Sequence, residues 1–102
     1  MRVISKKKIR DYCVINPQAK VAMLDWYLKM KACRAKNLIE LRHIFSTADP
    51  VFGYTIFDIG GNKYRLIAAM HYNMQYCYIR AVWTHAEYSK AINQKKLKWG
   101  DL

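Results

Sequence analysis

Two residues that can move or hold a proton, His85 and Tyr88, stand three apart just past an apolar run, QYCYIRAVW, whose middle carries Arg80. The run before it, NKYRLIA, carries Lys63 and Arg65. Cutting RNA without a metal needs a base for the 2′-OH, an acid for the leaving 5′-oxygen, and cations for the charge on the pentavalent phosphate. His85 is the natural proton-transfer group, because imidazole with its reference pKa of about 6.5 exists in both forms near neutrality. Arg65, Arg80 and Lys63 supply fixed positive charge. Tyr88 has three open uses: stacking on a base, positioning a phosphate, or assisting proton transfer.

Each of these residues has a plainer reading. A histidine at a helix start is more often a cap or a surface group, and Tyr88 alone is half-buried packing. Charges inside strands this apolar demand a reason, and an ion pair of Arg65 with Asp58 is a structural one. Three His and three Cys invite a metal, yet there is no C-x-x-C, no H-x-x-x-H and no tight carboxylate cluster, so neither a metal site nor a cofactor is expected. His43 and His71 are read as non-functional. Gly60 and Gly61 are followed by a strand pattern and no helix, which makes them a turn and not a phosphate loop.

The elements that must position these groups can be read in order. Residues 1–4 form a brief strand, and Ser5 stands as the N-cap of a helix over 6–14 with Ile9, Tyr12 and Cys13 inward. Asn16-Pro17 ends it, and Pro17 opens a second helix to about residue 36, with a stripe including Met23, Trp26, Tyr27, Met30 and Cys33. Asn37 with Glu40 is a capping box for a short helix through Leu38, Leu41 and Ile44. Residues 46–53 read as a loop.

Residues 54–59 and 63–72 form a hairpin about Gly60-Gly61-Asn62. Period two puts Tyr64, Leu66, Ala68 and Met70 on the helix side, and Lys63, Arg65, Ile67 and Ala69 on the open side. In the strand over 75–83, Cys77, Ile79 and Ala81 share one face and Tyr76, Tyr78, Arg80 and Val82 the other. Arg80 then lies on the open side with Arg65, since burying it among apolar side chains is costly. Thr84 and Glu87 form a second capping box, so a last helix begins there and projects His85 and Tyr88 from one side of its first turn. Residues 1–92 are read as a single domain and 93–102 as a basic tail. The fold class expected is α+β, with two N-terminal helices on one face of a small twisted antiparallel sheet and a short C-terminal helix.

Lys and Arg number 18 against 7 acids, a net +11 spread along the chain, which favours a polyanionic partner such as nucleic acid. No stretch approaches the ~20 apolar residues of a membrane span, and MRVISKKKIR lacks the apolar core of a signal peptide. A cytosolic protein with reduced thiols is expected.

The order of elements, together with GGNKYRLIA, CYIRAVWTH and the HAEY that follows, resembles the HigB-type toxins of bacterial toxin–antitoxin systems, within the RelE-like superfamily of mRNA interferases. The resemblance implies a ribosome-dependent endoribonuclease that cuts mRNA in the ribosomal A site. It also implies a HigA-type antitoxin with a helix-turn-helix domain, the pair repressing its own operon as a toxin–antitoxin heterotetramer bound to operator DNA through the antitoxin. By the resemblance Arg65 occupies the catalytic arginine position of the hairpin's second strand. His85 and Tyr88 correspond to further active-site groups, Arg80 joins them, and Lys63, Asn62 and Tyr78 contact RNA. ParE-like gyrase poisons share the fold, and a non-catalytic RNA- or ribosome-binding module is a further alternative; Arg65, Arg80, His85 and Tyr88 together favour the nuclease.

Overall fold

Alternating apolar runs become a five-stranded sheet in a computed structural model of the chain, which describes residues 1–93. The strands are β1 (Arg2–Ile4), β2 (Asp49–Val51), β3 (Tyr54–Ile59), β4 (Tyr64–His71) and β5 (Tyr76–Thr84), in the spatial order β1-β5-β4-β3-β2. The helices are α1 (Lys7–Ile15), α2 (Lys20–Ala32), α3 (Leu38–Leu41) and α4 (His85–Asn93). The lysine-rich tail expected after residue 93 lies outside the described residues.

The hairpin of β3 and β4 forms as its alternation and turn demand, with Ile59 opposite Tyr64 and Thr55 opposite Ala68. Two features of the sheet differ from expectation. It is mixed, because β1 pairs parallel with β5 at one edge. No tight turn follows β1, so nothing imposes an antiparallel partner. The 46–53 stretch, expected to be loop, contributes β2 at the opposite edge. Pro50 is tolerated there because an edge strand can spare one ladder donor. Phe52 and Gly53, with φ of 50° and 85°, make the two-residue turn into β3.

α2 is preceded by a tight 3-10 turn, Pro17–Ala19, and stops where Cys33 swings to an extended backbone, so the second helix is shorter than its apolar stripe. Ser5 does not cap α1: its φ is 70°, and Lys6 takes the cap position without a side-chain bond. The Asn37–Glu40 signal holds. Asn37 Oδ1 accepts from the Glu40 N–H at 2.9 Å, while the Glu40 carboxylate reaches back to the Lys36 N–H.

The main core lies between α2 and the sheet, where Met23, Trp26 and Met30 meet Phe57, Leu66 and Ile79. The helices are not confined to that face. α4 lies on the other, where Ala91 is buried with Ile56, Ile67 and Trp83, so the expected open face is half covered. An apolar Ile67 left in water on that face is the physical reason for the covering.

A bulge also changes β5. Ile67 pairs with Ala81 and Ala68 with Ile79, leaving Arg80 as the extra residue. Beyond it the alternation reverses: Val82 packs towards the helices and Ala81 towards α4, the opposite of a strict period of two. Among the described residues no helix is long and apolar enough to cross a membrane.

All three cysteines are free, with Cys33 and Cys77 buried and Cys13 half buried. Burial pushes the Cys77 thiol up to about 12, and it raises Cys13 as well, against the opposing charge of Lys20. At about pH 8 thiolate is therefore scarce. In the native protein iodoacetamide should label Cys13 slowly and spare Cys33 and Cys77. All three should react in denaturant, as mass spectrometry of the peptides will show.

Candidate active site

Arg65 and Asp58 face each other across the β3–β4 ladder, so both side chains leave the sheet on the α4 side. Arg65 is only 8% exposed, a rare degree of burial for an arginine, and its partners explain it. Its Nε donates to Asp58 Oδ1 at 2.8 Å, and Nη1 donates to the carbonyls of Asn62 and Tyr64, each at 3.2 Å. Those carbonyls are presented by the turn itself. Gly60, Gly61 and Asn62 all take positive φ, and a side chain at Gly60 would press on the Tyr64 ring at 3.2 Å. Three ties fix the guanidinium plane.

Tyr88 covers this arginine, its ring centroid 5.5 Å from Arg65 Cζ. α4 sets the ring there through the second capping box, in which the Glu87 N–H donates to Thr84 Oγ1 at 3.1 Å and the Thr84 N–H to the Glu87 carboxylate at 2.9 Å. The His85 N–H adds a bond to the Lys63 carbonyl at 3.0 Å, which ties the start of α4 to the hairpin turn.

Together these groups open onto a groove of about 500 Å3 lined by Arg65, Tyr88, Asp58, Asp49, Arg42 and Thr47, among others. Burial raises the Tyr88 phenol, Asp49 adds to the rise, and Arg65 opposes it. Tyr88 therefore keeps its proton at neutral pH and presents a hydroxyl that can donate. In the free protein Asp58 already meets the charge of Arg65, so an anion entering the groove is drawn by the remaining donors and by Arg42.

Arg42, Asp49, Ser46 and Thr47 were not singled out from the sequence. They come from the end of α3 and the segment leading to β2, which the Arg42 Nε bond to the Ala48 carbonyl at 2.8 Å closes into a compact turn. Asp49-Pro50 was a visible turn signal, but nothing local tied it to Arg65.

The other sequence candidates fall in two places. His85 is exposed as the first residue of α4, three residues before Tyr88, and is not among the residues that line the groove. Lys63 and Asn62 are exposed in the hairpin turn; Lys63 precedes β4 and is not on the strand as expected. Arg80 and Tyr78 are not brought to Arg65. Arg65 pairs with Trp83, and the bulge places Arg80 beyond the Ile67–Ala81 pair, on the far side of the apolar patch under Ala91.

A small mixed sheet that holds a rigid arginine beneath a phenol, in a groove at the mouth of its central hairpin, defines an anion-handling α+β domain. A family model described as HigB_toxin, RelE-like toxic component of a toxin–antitoxin system, matches residues 19–91, and the chain belongs to this family. It is 32% identical over 92 residues to the mRNA interferase toxin HigB of Escherichia coli (strain K12), covering 86% of this chain and 88% of that one. The mRNA interferases HigB of Escherichia coli O157:H7 and of Shigella flexneri match to the same extent.

Proposed function

We propose that this chain is an mRNA endoribonuclease that acts in the ribosomal A site, and that it is held in check by a HigA-type antitoxin. The buried, triply tied Arg65 under Tyr88 carries the reading, supported by family membership and the names of the relatives. A guanidinium fixed before substrate arrives can meet the charge developing on a pentavalent phosphate with little reorganisation.

In the reaction the 2′-OH attacks the adjacent phosphorus, the bond to the 5′-oxygen breaks, and a cyclic phosphate or 3′-phosphate is left with a 5′-OH. Arg65 donates to the non-bridging oxygens. Tyr88, protonated, donates to the phosphate or the leaving oxygen. His85, one turn before Tyr88 on α4, acts as base or acid, while Lys63 and Asn62 hold the RNA at the turn. Arg80 and Tyr78 contact RNA away from the reacting phosphate. The antitoxin joins the toxin in a heterotetramer and supplies the operator-binding domain. The working compartment is the cytoplasm, where translating ribosomes are found.

The test is to map the 5′ ends of a model mRNA with and without translating ribosomes. Cuts should appear only with ribosomes, should be blocked by a 2′-O-methyl group at the scissile nucleotide, and should slow at least tenfold in His85→Gln, roughly the loss of one proton-transfer group. Intact mRNA in every reaction with folded protein would turn attention to gyrase, whose poisoning needs none of these groups.

A further inference from the structure

Past the patch where α4 covers Ile67 and Trp83, the same face of the sheet carries a row of rings and cations. Tyr76 is in register with Arg2 on β1 and His71 on β4, and Tyr78 with Ile4 and Ala69. Residues in register share a face, so the row crosses three strands. Arg2 Cζ lies 6.0 Å from the Tyr76 ring centroid, and Arg80 Cζ only 4.1 Å from that of Tyr78. The bulge delivers Arg80 here as a residue without a partner on β4.

The electrostatics of this row differ from those of the groove. Arg65 is met by Asp58, whereas among the described residues neither Arg2 nor Arg80 has a carboxylate partner, and Arg80 Nε is buried without a hydrogen-bond acceptor. Neither guanidinium charge is neutralised by a carboxylate of those residues, so both remain to attract an arriving phosphate. Guanidinium planes stacked on tyrosines also offer flat surfaces to bases while their N–H edges face phosphates.

We propose that Tyr76, Tyr78, Arg80 and Arg2 form a second track that binds single-stranded RNA flanking the cleaved step, a proposal that rests on the nuclease reading above for its substrate. Ala69 stands four positions beyond Arg65 on β4, roughly 13 Å of strand, so an RNA must extend a few nucleotides beyond the groove to reach the track. The catalytic groove thus orients the phosphate, and the track supplies most of the pull on the chain.

The test uses the full chain and a fluorescent 2′-O-methyl RNA about 12 nucleotides long, which binds but is not cut. Tyr78→Ala and Arg80→Gln should each weaken binding roughly tenfold by anisotropy. Arg80→Gln should also lower the slope of log affinity against log salt by about one, the signature of one lost phosphate contact. Affinity and slope both within twofold of wild type, in variants with unchanged circular dichroism, overturn the proposal. So does unchanged RNA affinity with lost antitoxin binding, which gives the row to an acidic protein segment instead. If wild type leaves mRNA uncut while both variants still lose RNA affinity, the nuclease reading of the groove fails and the track stands.

Discussion

Arg65→Ala should slow mRNA cleavage on translating ribosomes by on the order of a hundredfold, with the loss in kcat and KM little changed. A donor that acts mainly on charge developed in the transition state has this signature, and the buried, pre-fixed guanidinium fits it. Arg65→Lys should not restore activity. An ammonium lacks the planar fork that reaches Asp58 and the carbonyls of Asn62 and Tyr64 together. The folded state should survive the alanine change, because the Asp58 side chain it leaves behind is 29% exposed and can hydrate. Single-turnover rates beside thermal melts separate the two effects. Normal turnover in a folded Arg65→Ala would remove the arginine from the mechanism.

Phe57→Ala should cost about 3–5 kcal/mol of stability. Phe57 is 1% exposed, and its ring meets Trp26 edge-on at 5.4 Å and Phe45 at 5.1 Å, so one truncation opens a cavity and breaks two aromatic contacts. Domains of this size hold roughly 5–15 kcal/mol in all, so about a fifth or more of the total is at stake. Urea titration should show a lower midpoint with an unchanged slope, and the melting temperature should fall by roughly 15–30 °C. A loss under about 1 kcal/mol would mean that α2 and the α3 segment collapse onto the space, contrary to a rigid core.

Phe57 and Arg65 also show how differently core and site could be read from the chain. Phe57 lies in an alternating run, so its side of the sheet follows from period two. Arg65 follows by the same rule, and its placement on the α4 side agrees with the register. Even the ion pair with Asp58 was legible, since the two residues stand symmetrically about a glycine turn. Arg80 was read onto the open face, where its contact with the Tyr78 ring puts it, but its separation from Arg65 was not legible. That separation depends on one extra residue in β5, and a bulge leaves no mark on an apolar run whose residues suit either face.

The amino-acid sequence by itself determined what short-range physics controls: the hairpin turn with its positive-φ glycines, the stripe of α2, the two acidic capping boxes, and the strong positive charge. Each is decided by hydrogen bonds or side-chain spacing within a few residues. Only the tertiary structure decided that α4 folds back over the sheet, that β1 pairs parallel with β5, and that Arg42 and Asp49 come to face Arg65 and Tyr88. Those choices join segments tens of residues apart and are settled by which apolar surfaces can be buried together, a sum over the whole molecule that no local pattern contains.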